Sequence, residues 1–173
     1  PYDQKPILYP DSDVPIVEPE NIGDADCLGE KELRTLEIVK AAIQNGERAL
    51  IYTSWVRTDS QQKLKKLLTD EGYRTEILTD KIKTTDREDW VQKKLAAGMQ
   101  VLITNPSLVE TGLDLNAFTT LVFYSMGYKL FTLRQASRRS WRINQKAPAV
   151  KVYMLYYEDT MQQKCLKLMA SKL

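Results

Sequence analysis

Short apolar runs alternate with amphipathic stretches along most of the chain. Amphipathic segments carry apolar residues at helical spacing, such as Leu64, Leu67 and Leu68, or Trp90, Val91 and Leu95. Further helical patterns cover 130–142 and 160–172. The runs rich in β-forming residues predict strands at 49–53, 75–79, 101–104, 120–124 and 150–155. Strands separated by helices predict right-handed crossovers and a mainly parallel sheet covered on both faces.

Three glycines punctuate this alternation at a constant interval. Gly46, Gly72 and Gly98 lie 26 residues apart, and each follows a helical pattern and precedes an apolar run. A glycine just past a helix end supplies the left-handed conformation that terminates the helix, so we expect a helix to end at each. Thr85 and Glu88 have the spacing of a capping box and predict the start of another helix.

The last helical pattern predicts one apolar stripe. Met161, Cys165, Leu168 and Lys172 share this stripe, which assigns Cys165 to the core.

The cysteines and the apolar runs bear on the compartment. Cys27, the other cysteine, is distant from Cys165 in sequence, and this spacing is typical of a reducing compartment. No apolar run approaches about 18 residues. We therefore expect no membrane segment and a cytoplasmic protein, or a nuclear one in a eukaryote.

Proline and acidic residues set the first part of the chain apart. Five of the seven prolines fall within residues 1–19, where no periodicity is sustained. We therefore interpret 1–27 as a Pro-rich acidic linker or extended N-terminal segment, which favours a connection from a preceding segment. Residues 28–173 are long enough for one α/β domain with a real core.

Charge is distributed unevenly even though the net charge is only +2. Residues 1–30 hold eight acidic residues and one lysine, whereas residues 115–157 hold seven basic residues and no carboxylate. A carboxylate-free stretch of this length is consistent with a polyanion or phosphate partner. It is equally consistent with a solvated surface whose arginines pair with carboxylates elsewhere in the fold.

The residue inventory restricts the chemistry. The chain has no histidine, which excludes Ser-His-Asp and Cys-His nucleophile systems and mixed Cys/His zinc sites. It also has no GxxxxGK[ST] loop that could hold a nucleoside triphosphate and its magnesium unaided. Any chemistry must come from arginine, lysine, carboxylates or the backbone, and a nucleotide site would be incomplete.

Candidate ligand-binding residues follow the predicted strands, because ligands gather at the carboxyl ends of parallel strands. Such residues bind phosphate beside helix N-termini, although the same residue types also cap helices without any ligand. For each single loop, capping is the favoured interpretation. The candidates in these loops are Ser54, Trp55, Lys81, Asn105 and Ser107.

Two further stretches suggest nucleotide chemistry. Gly112 permits close backbone approach, and Asp114 follows at the distance where it could accept from a ribose hydroxyl. In the helical pattern at 130–142, helical spacing places Gln135, Arg139 and Arg142 on one face. Two guanidinium groups there suit a phosphate that gains charge in a transition state, and a structural ion-pair cluster is the alternative.

Together these segments resemble the C-terminal RecA-like domain of superfamily 2 helicases and translocases, most closely the Swi/Snf-type DNA-dependent ATPases. Residues 48–55 resemble helicase motif IV, and residues 101–115 resemble the region that ends in motif V. Residues 135–145 are similar to the Swi/Snf form of motif VI, a Gln-Ala…Arg…Arg-Ile-x-Gln pattern. The resemblance implies a three-layer RecA-like, P-loop NTPase-like fold.

The resemblance also implies roles for individual residues. Arg139 and Arg142 would reach the γ-phosphate of ATP held by a partner domain, and Gln135 would support that interface. Gly112 and Asp114 would couple the state of the bound nucleotide to DNA binding. Contacts with the nucleic-acid backbone would come from Ser54, Trp55, Lys81, Asn105 and Ser107. Motif V departs from many relatives by having Pro106 where they have threonine.

The resemblance therefore predicts the C-terminal motor half of an ATP-dependent DNA helicase or translocase. ATP and Mg²⁺ would bind mainly to an N-terminal RecA-like domain of the same polypeptide, and the present chain alone would be inactive. DNA is favoured over RNA only by the Swi/Snf form of motif VI. The alternatives are a stand-alone RecA-like module that binds nucleic acid or protein without hydrolysing ATP, and a nucleotide-sugar transferase domain, which leaves the Gln-Arg-Arg face unexplained.

Overall fold

The first element of the structure is a small hairpin. The computed structural model describes residues 7–17, 28–54, 60–109, 113–125, 135, 138–140 and 148–171. Strands β1 (Ile7–Leu8) and β2 (Pro15–Val17) pair in antiparallel fashion. This hairpin lies within the segment predicted as extended.

The remaining strands form one five-stranded sheet. Its order is β4-β5-β3-β6-β7, and each neighbouring pair is parallel. In register, Ala49 lies opposite both Val101 and Thr120, so the strands end together at one edge. The predicted strands are confirmed to within one residue at each end: β3 (Ala49–Tyr52), β4 (Thr75–Leu78), β5 (Val101–Thr104), β6 (Thr120–Phe123) and β7 (Lys151–Met154).

Helices cover both faces of this sheet, as predicted. The described helices are α1 (Glu30–Gln44), α2 (Ser60–Asp70), α3 (Arg87–Ala96) and α4 (Met161–Ala170), with 3₁₀ turns at Thr84–Asp86 and Pro106–Leu108. On one face, Ile38 and Val39 of α1 and Leu64 of α2 pack on the sheet. On the other face, Val91 of α3 packs with Phe118. The architecture is the three-layer α/β fold expected.

The glycine prediction is confirmed. Gly46, Gly72 and Gly98 have φ values of 73°, 87° and 89°. At the first of them, the Gly46 N–H donates to the carbonyl of Ile43, and the next N–H donates to Ala42. A side chain at such a φ would be strained, and this explains why glycine ends α1, α2 and α3.

The predicted capping box is wrong. Helix α3 begins at Arg87 with Asp86 as its N-cap, and no side chain caps it. Thr85 lies in the preceding 3₁₀ turn and donates its hydroxyl to the Asp86 carboxylate at 2.7 Å. The turn places Asp86, rather than Thr85, at the N-cap, so Glu88 is the second helical residue and not the third residue that a capping box requires.

The predicted core stripe of the last helix is also wrong. Met161 and Leu168 are 67% and 65% exposed, and Cys165 is only half-buried. The inward side of α4 runs instead through Gln162 to the buried Met169. Gln162 faces inward because its side-chain oxygen accepts a hydrogen bond from the buried amine of Lys31.

The helix predicted over 130–142 lies largely outside the described residues. Gln135 and Arg138 are helical, but residues 139 and 140 form a turn. The described part therefore departs from one continuous helix at Arg139.

Candidate functional site

Loops from three strands are tied together at the carboxyl edge of the sheet. The Ser54 N–H, just past β3, donates to the hydroxyl oxygen of Ser125, just past β6, at 2.7 Å. The Ser54 hydroxyl donates in return to the Ser125 carbonyl at 3.2 Å. From the end of β5, the Asn105 amide reaches the Ser54 carbonyl at 3.5 Å. Ser54, Asn105 and Ser125 thus form one connected polar surface, the carboxyl-edge surface, with Ser54 at its centre.

Asn105 has a structural role of its own there. Its side-chain oxygen accepts the Ser107 N–H at 2.9 Å and caps the 3₁₀ turn that begins with Pro106. The capping interpretation of this loop is therefore confirmed. Ser107 itself is exposed at the same edge. Trp55, predicted beside Ser54, lies outside the described residues.

A buried arginine joins the loop after β4 to the loop after β5. Arg87 donates from Nε to the Ile82 carbonyl at 3.2 Å and from Nη1 to the Leu108 carbonyl at 2.9 Å. Arg87 is only 9% exposed. Its two bonds hold in place the turn that carries Lys81, whose side chain is exposed. Lys81 therefore lies at the same carboxyl edge as Ser107, on the loop that Arg87 joins to that of Ser107.

Asp114 is held by a local turn. Its Oδ1 accepts the Asn116 N–H at 3.1 Å, and its Oδ2 accepts the Asn116 side-chain amide at 3.2 Å. These bonds orient the carboxylate and leave each of its oxygens a second acceptor site. The geometry therefore permits a further hydroxyl donor at Asp114. Gly112 lies outside the described residues.

Arg139 lies next to the Asp114 segment. Its carbonyl accepts the N–H of Leu115 at 3.4 Å. Burial raises the pKa of Tyr52 far above its ordinary value, and the nearby positive charge of Arg139 opposes that shift. The Tyr52 ring, at the end of β3, stacks on Phe123 with a centroid distance of 4.8 Å.

The predicted motif VI face has two further residues, Gln135 and Arg142. Gln135 is half-buried. Arg142 lies outside the described residues, so the structure brings together Arg139 and the Asp114 segment, and the position of Arg142 stays a prediction.

A buried charged cluster beside this edge was missed by the sequence analysis. Lys31 and Glu32, at the start of α1, are only 7% and 1% exposed. The Lys31 amine donates to the Tyr124 carbonyl at 3.3 Å and to the Gln162 side chain at 2.7 Å. Glu32 accepts the Tyr124 hydroxyl at 2.8 Å and lies 3.8 Å from the Lys63 amine. The cluster joins α1, α2, α4 and the end of β6.

Burial changes the acidity of this cluster. It lowers the pKa of Lys31 from 10.5 to about 8, and the adjacent Glu32 carboxylate opposes the change by a smaller amount. Burial also raises the pKa of Tyr157, whose ring lies 4.7 Å from the Lys31 amine. A groove of about 380 Å³ opens beside Lys31, between α1 and residues 155–157.

Helical spacing could have revealed the cluster. Lys31 stands at the head of the stripe that continues through the buried Thr35, Ile38 and Ala42, at intervals of four, three and four residues. A lysine on that stripe must be buried or must interrupt it.

Comparison with known proteins agrees with this architecture. The family model described as the helicase conserved C-terminal domain matches residues 31–144. Among solved structures, the chain is similar to the crystal structure of the C-terminal part of the Fun30 ATPase domain, with a TM-score of 0.74 and 18% identity. That similarity covers 85% of this chain and 47% of the other, so this chain spans about half the length of the matched structure. The comparison with curated proteins gave no match.

The similarity in fold confirms the RecA-like architecture expected from the sequence. In the part of the chain that the structure describes, no helix has the length and apolar character needed to cross a bilayer.

Proposed function

Because this chain belongs to the helicase conserved C-terminal domain family, we propose that it is the C-terminal motor half of an ATP-dependent DNA helicase or translocase. In this proposal ATP and Mg²⁺ bind mainly to an N-terminal RecA-like domain of the same polypeptide. The present chain supplies the opposite wall of the nucleotide site and part of the DNA track.

One contact carries the proposal. The hydrogen bond between the Leu115 N–H and the Arg139 carbonyl joins the segment of Asp114 to the segment of the motif VI arginines. A shared nucleotide site needs a ribose acceptor and phosphate-binding cations within one ligand's length. The joined segments support that arrangement, because Asp114 is the immediate neighbour of Leu115.

Each residue of the nucleotide wall has a defined task in the proposal. Bound ATP and Mg²⁺ supply phosphoryl transfer to water, with charge developing on the γ-phosphoryl oxygens. Arg139 and Arg142 stabilise that charge, since guanidinium groups stay protonated and suit phosphate geometry. Gln135 supports their interface. Asp114, already oriented by Asn116, accepts from the ribose hydroxyl.

The DNA track in the proposal is the carboxyl-edge surface. Ser54, Lys81 and Ser107 lie along it and contact phosphates, while Asn105 orders the loop between them. Contacts of this kind are independent of sequence and weaken with salt. The absence of carboxylates over residues 115–157 is consistent with a polyanion partner. The preference for DNA rests on the Swi/Snf form of residues 135–145.

The decisive experiment is DNA-stimulated ATPase activity of the full-length protein that carries this domain. Replacing the proposed arginine finger, Arg142→Ala, should lower turnover by about 10³-fold or more. The matched control is Arg138→Ala, because Arg138 is an exposed arginine in the same segment. It should leave turnover within about twofold of the wild type, since a solvated arginine stabilises no transition state. The present chain, expressed alone, should be inactive.

Two results would contradict the proposal. A full-length protein without DNA-stimulated ATPase activity would favour a RecA-like binding module. Equal activity in the wild type and Arg142→Ala would show that the motif VI arginine does not act on the nucleotide.

A further inference from the structure

Two neighbouring charged residues of α1 hold one tyrosine at the carboxyl edge of the sheet. We propose that Lys31 and Glu32 are positioning residues that fix Tyr124 and thereby hold Ser125 and Ser54 in place for DNA binding. The inference rests on the proposed function, because it assumes that DNA lies on the carboxyl-edge surface.

The hold on Tyr124 has two points. Lys31 binds its main-chain carbonyl at 3.3 Å, and Glu32 binds its side-chain hydroxyl at 2.8 Å. The main chain and the ring of one residue are therefore fixed by consecutive residues of a single helix. Tyr124 is 7% exposed, so water does not easily replace either bond.

The fixed tyrosine lies one residue before the contacts of the proposed DNA track. The Tyr124 N–H continues the pairing of β6 with β3 by donating to the Tyr52 carbonyl at 3.0 Å. Ser125 comes next and makes two hydrogen bonds with Ser54. A path of direct contacts thus runs from the start of α1 to Ser54, and through Ser54 to Asn105.

Stability alone does not explain the placement of Lys31. Burial of an ammonium group is unfavourable, and the N-terminal turn of a helix disfavours a cation. An apolar residue at the head of the α1 stripe would avoid both costs. What the lysine provides, and an apolar residue cannot, is a donor for the Tyr124 carbonyl and for Gln162.

The test uses the full-length protein with two variants and matched controls. Tyr124→Phe removes only the hydroxyl that donates a hydrogen bond to Glu32. Lys31→Met removes the amine that donates to the Tyr124 carbonyl. Should Lys31→Met fail to fold, Tyr124→Phe still tests the hold. Tyr156→Phe and Lys40→Met are the controls, because both residues are exposed and Lys40 lies on the same helix.

Two readouts separate the hold from the function. Amide hydrogen exchange at Ser125 and Ser54 should rise about tenfold in both variants, the equivalent of losing one hydrogen bond to a charged group. Exchange at the opposite end of the sheet, at Val101, should stay at the wild-type rate. Fluorescence anisotropy with a labelled mixed-sequence DNA duplex should show weaker binding by a similar factor. The controls should match the wild type in both.

Each result decides the inference. Unchanged exchange at Ser125 would show that Lys31 and Glu32 do not fix Tyr124 and the residue after it. Faster exchange with unchanged DNA affinity would overturn the positioning role and leave a structural one. A uniform rise in exchange that includes Val101 would also overturn positioning, because it indicates general destabilisation. Failure of the proposed function appears separately, as a wild-type protein that binds no DNA or has no ATPase activity.

Discussion

At the scale of single residues, Glu32 is the carboxylate on which the charged cluster depends. It is 1% exposed, and its Oε1 lies near the Lys63 amine and accepts the Tyr124 hydroxyl. It also lies beside Lys31, where its charge acts to raise a pKa that burial lowers. Loss of its charge would leave the Lys31 and Lys63 amines without the carboxylate with which both interact.

We predict that Glu32→Gln lowers the free energy of unfolding by about 3 kcal/mol, as breaking one side of a buried ion pair typically does. Urea unfolding at neutral pH measures this change. The matched control on the same helix is Glu37→Gln. Its ion pair with Arg34 is about two-thirds exposed on both sides, so its loss should cost less than about 1 kcal/mol. Equal losses in the two variants would show that burial of the cluster adds nothing.

At the scale of elements, ion pairs connect β4, the outermost strand on one side of the sheet, to two helices. Glu76 of β4 forms ion pairs with Lys65 of α2 and with Lys94 of α3. Burial acts to raise the pKa of Glu76, but the hydrogen bonds from Lys94 and Lys65 outweigh it, and the pKa lies below its ordinary value of 4.5. The two helices belong to different faces, so this carboxylate links the layers.

The sign of the pH dependence follows from the lowered pKa. The stabilisation by Glu76 is present above the ordinary value of 4.5 and is lost as the pH falls through the lower pKa of the folded state. We predict that Glu76→Gln has a smaller loss of unfolding free energy on acidification than the wild type. The control variant Glu71→Gln, at an exposed position after α2, should lose as much unfolding free energy on acidification as the wild type does. Urea unfolding at a series of acidic pH values measures this loss. The same loss of unfolding free energy in all three proteins would contradict the prediction.

Elements with a strong period were predictable from the sequence. The strands and the helix ends at glycine follow from local patterns in the sequence. The parallel sheet reinforces the strand pattern, because Ala49 lies opposite Val101 in one neighbouring strand and opposite Thr120 in the other. The inward side of α4 was not predictable in this way. Gln162 faces inward because of Lys31, 131 residues away in sequence, and no local apolar period reports a partner at that distance.

The candidate site was predictable to the same degree and for the same reason. Placing the strands also places the residues that follow them, so Ser54, Asn105 and Ser107 were assigned to the correct edge. Their mutual bonds, and the bonds of Arg87 to two loop carbonyls, arise only when separate segments meet. Buried polar residues such as Arg87 have no apolar signal, so a hydrophobic pattern passes over them.

At the scale of the whole molecule, charge on the carboxyl edge should determine DNA affinity in the proposed motor. Lys81 is exposed on the turn that Arg87 anchors, beside the loop of Ser107. Lys93 is also exposed but lies in the last turn of α3, which leads to the amino end of β5. The two lysines thus occupy opposite edges of one sheet.

We predict that Lys81→Met weakens DNA binding by the full-length protein and lowers the slope of log affinity against log salt by about 1, because one phosphate contact is lost. Lys93→Met removes the same charge from the other edge and should leave the slope unchanged. Anisotropy titrations at several salt concentrations measure both slopes. If the two variants lose affinity equally, net charge rather than the carboxyl edge governs binding. If Lys93→Met alone loses affinity, the DNA track lies at the amino edge of the sheet.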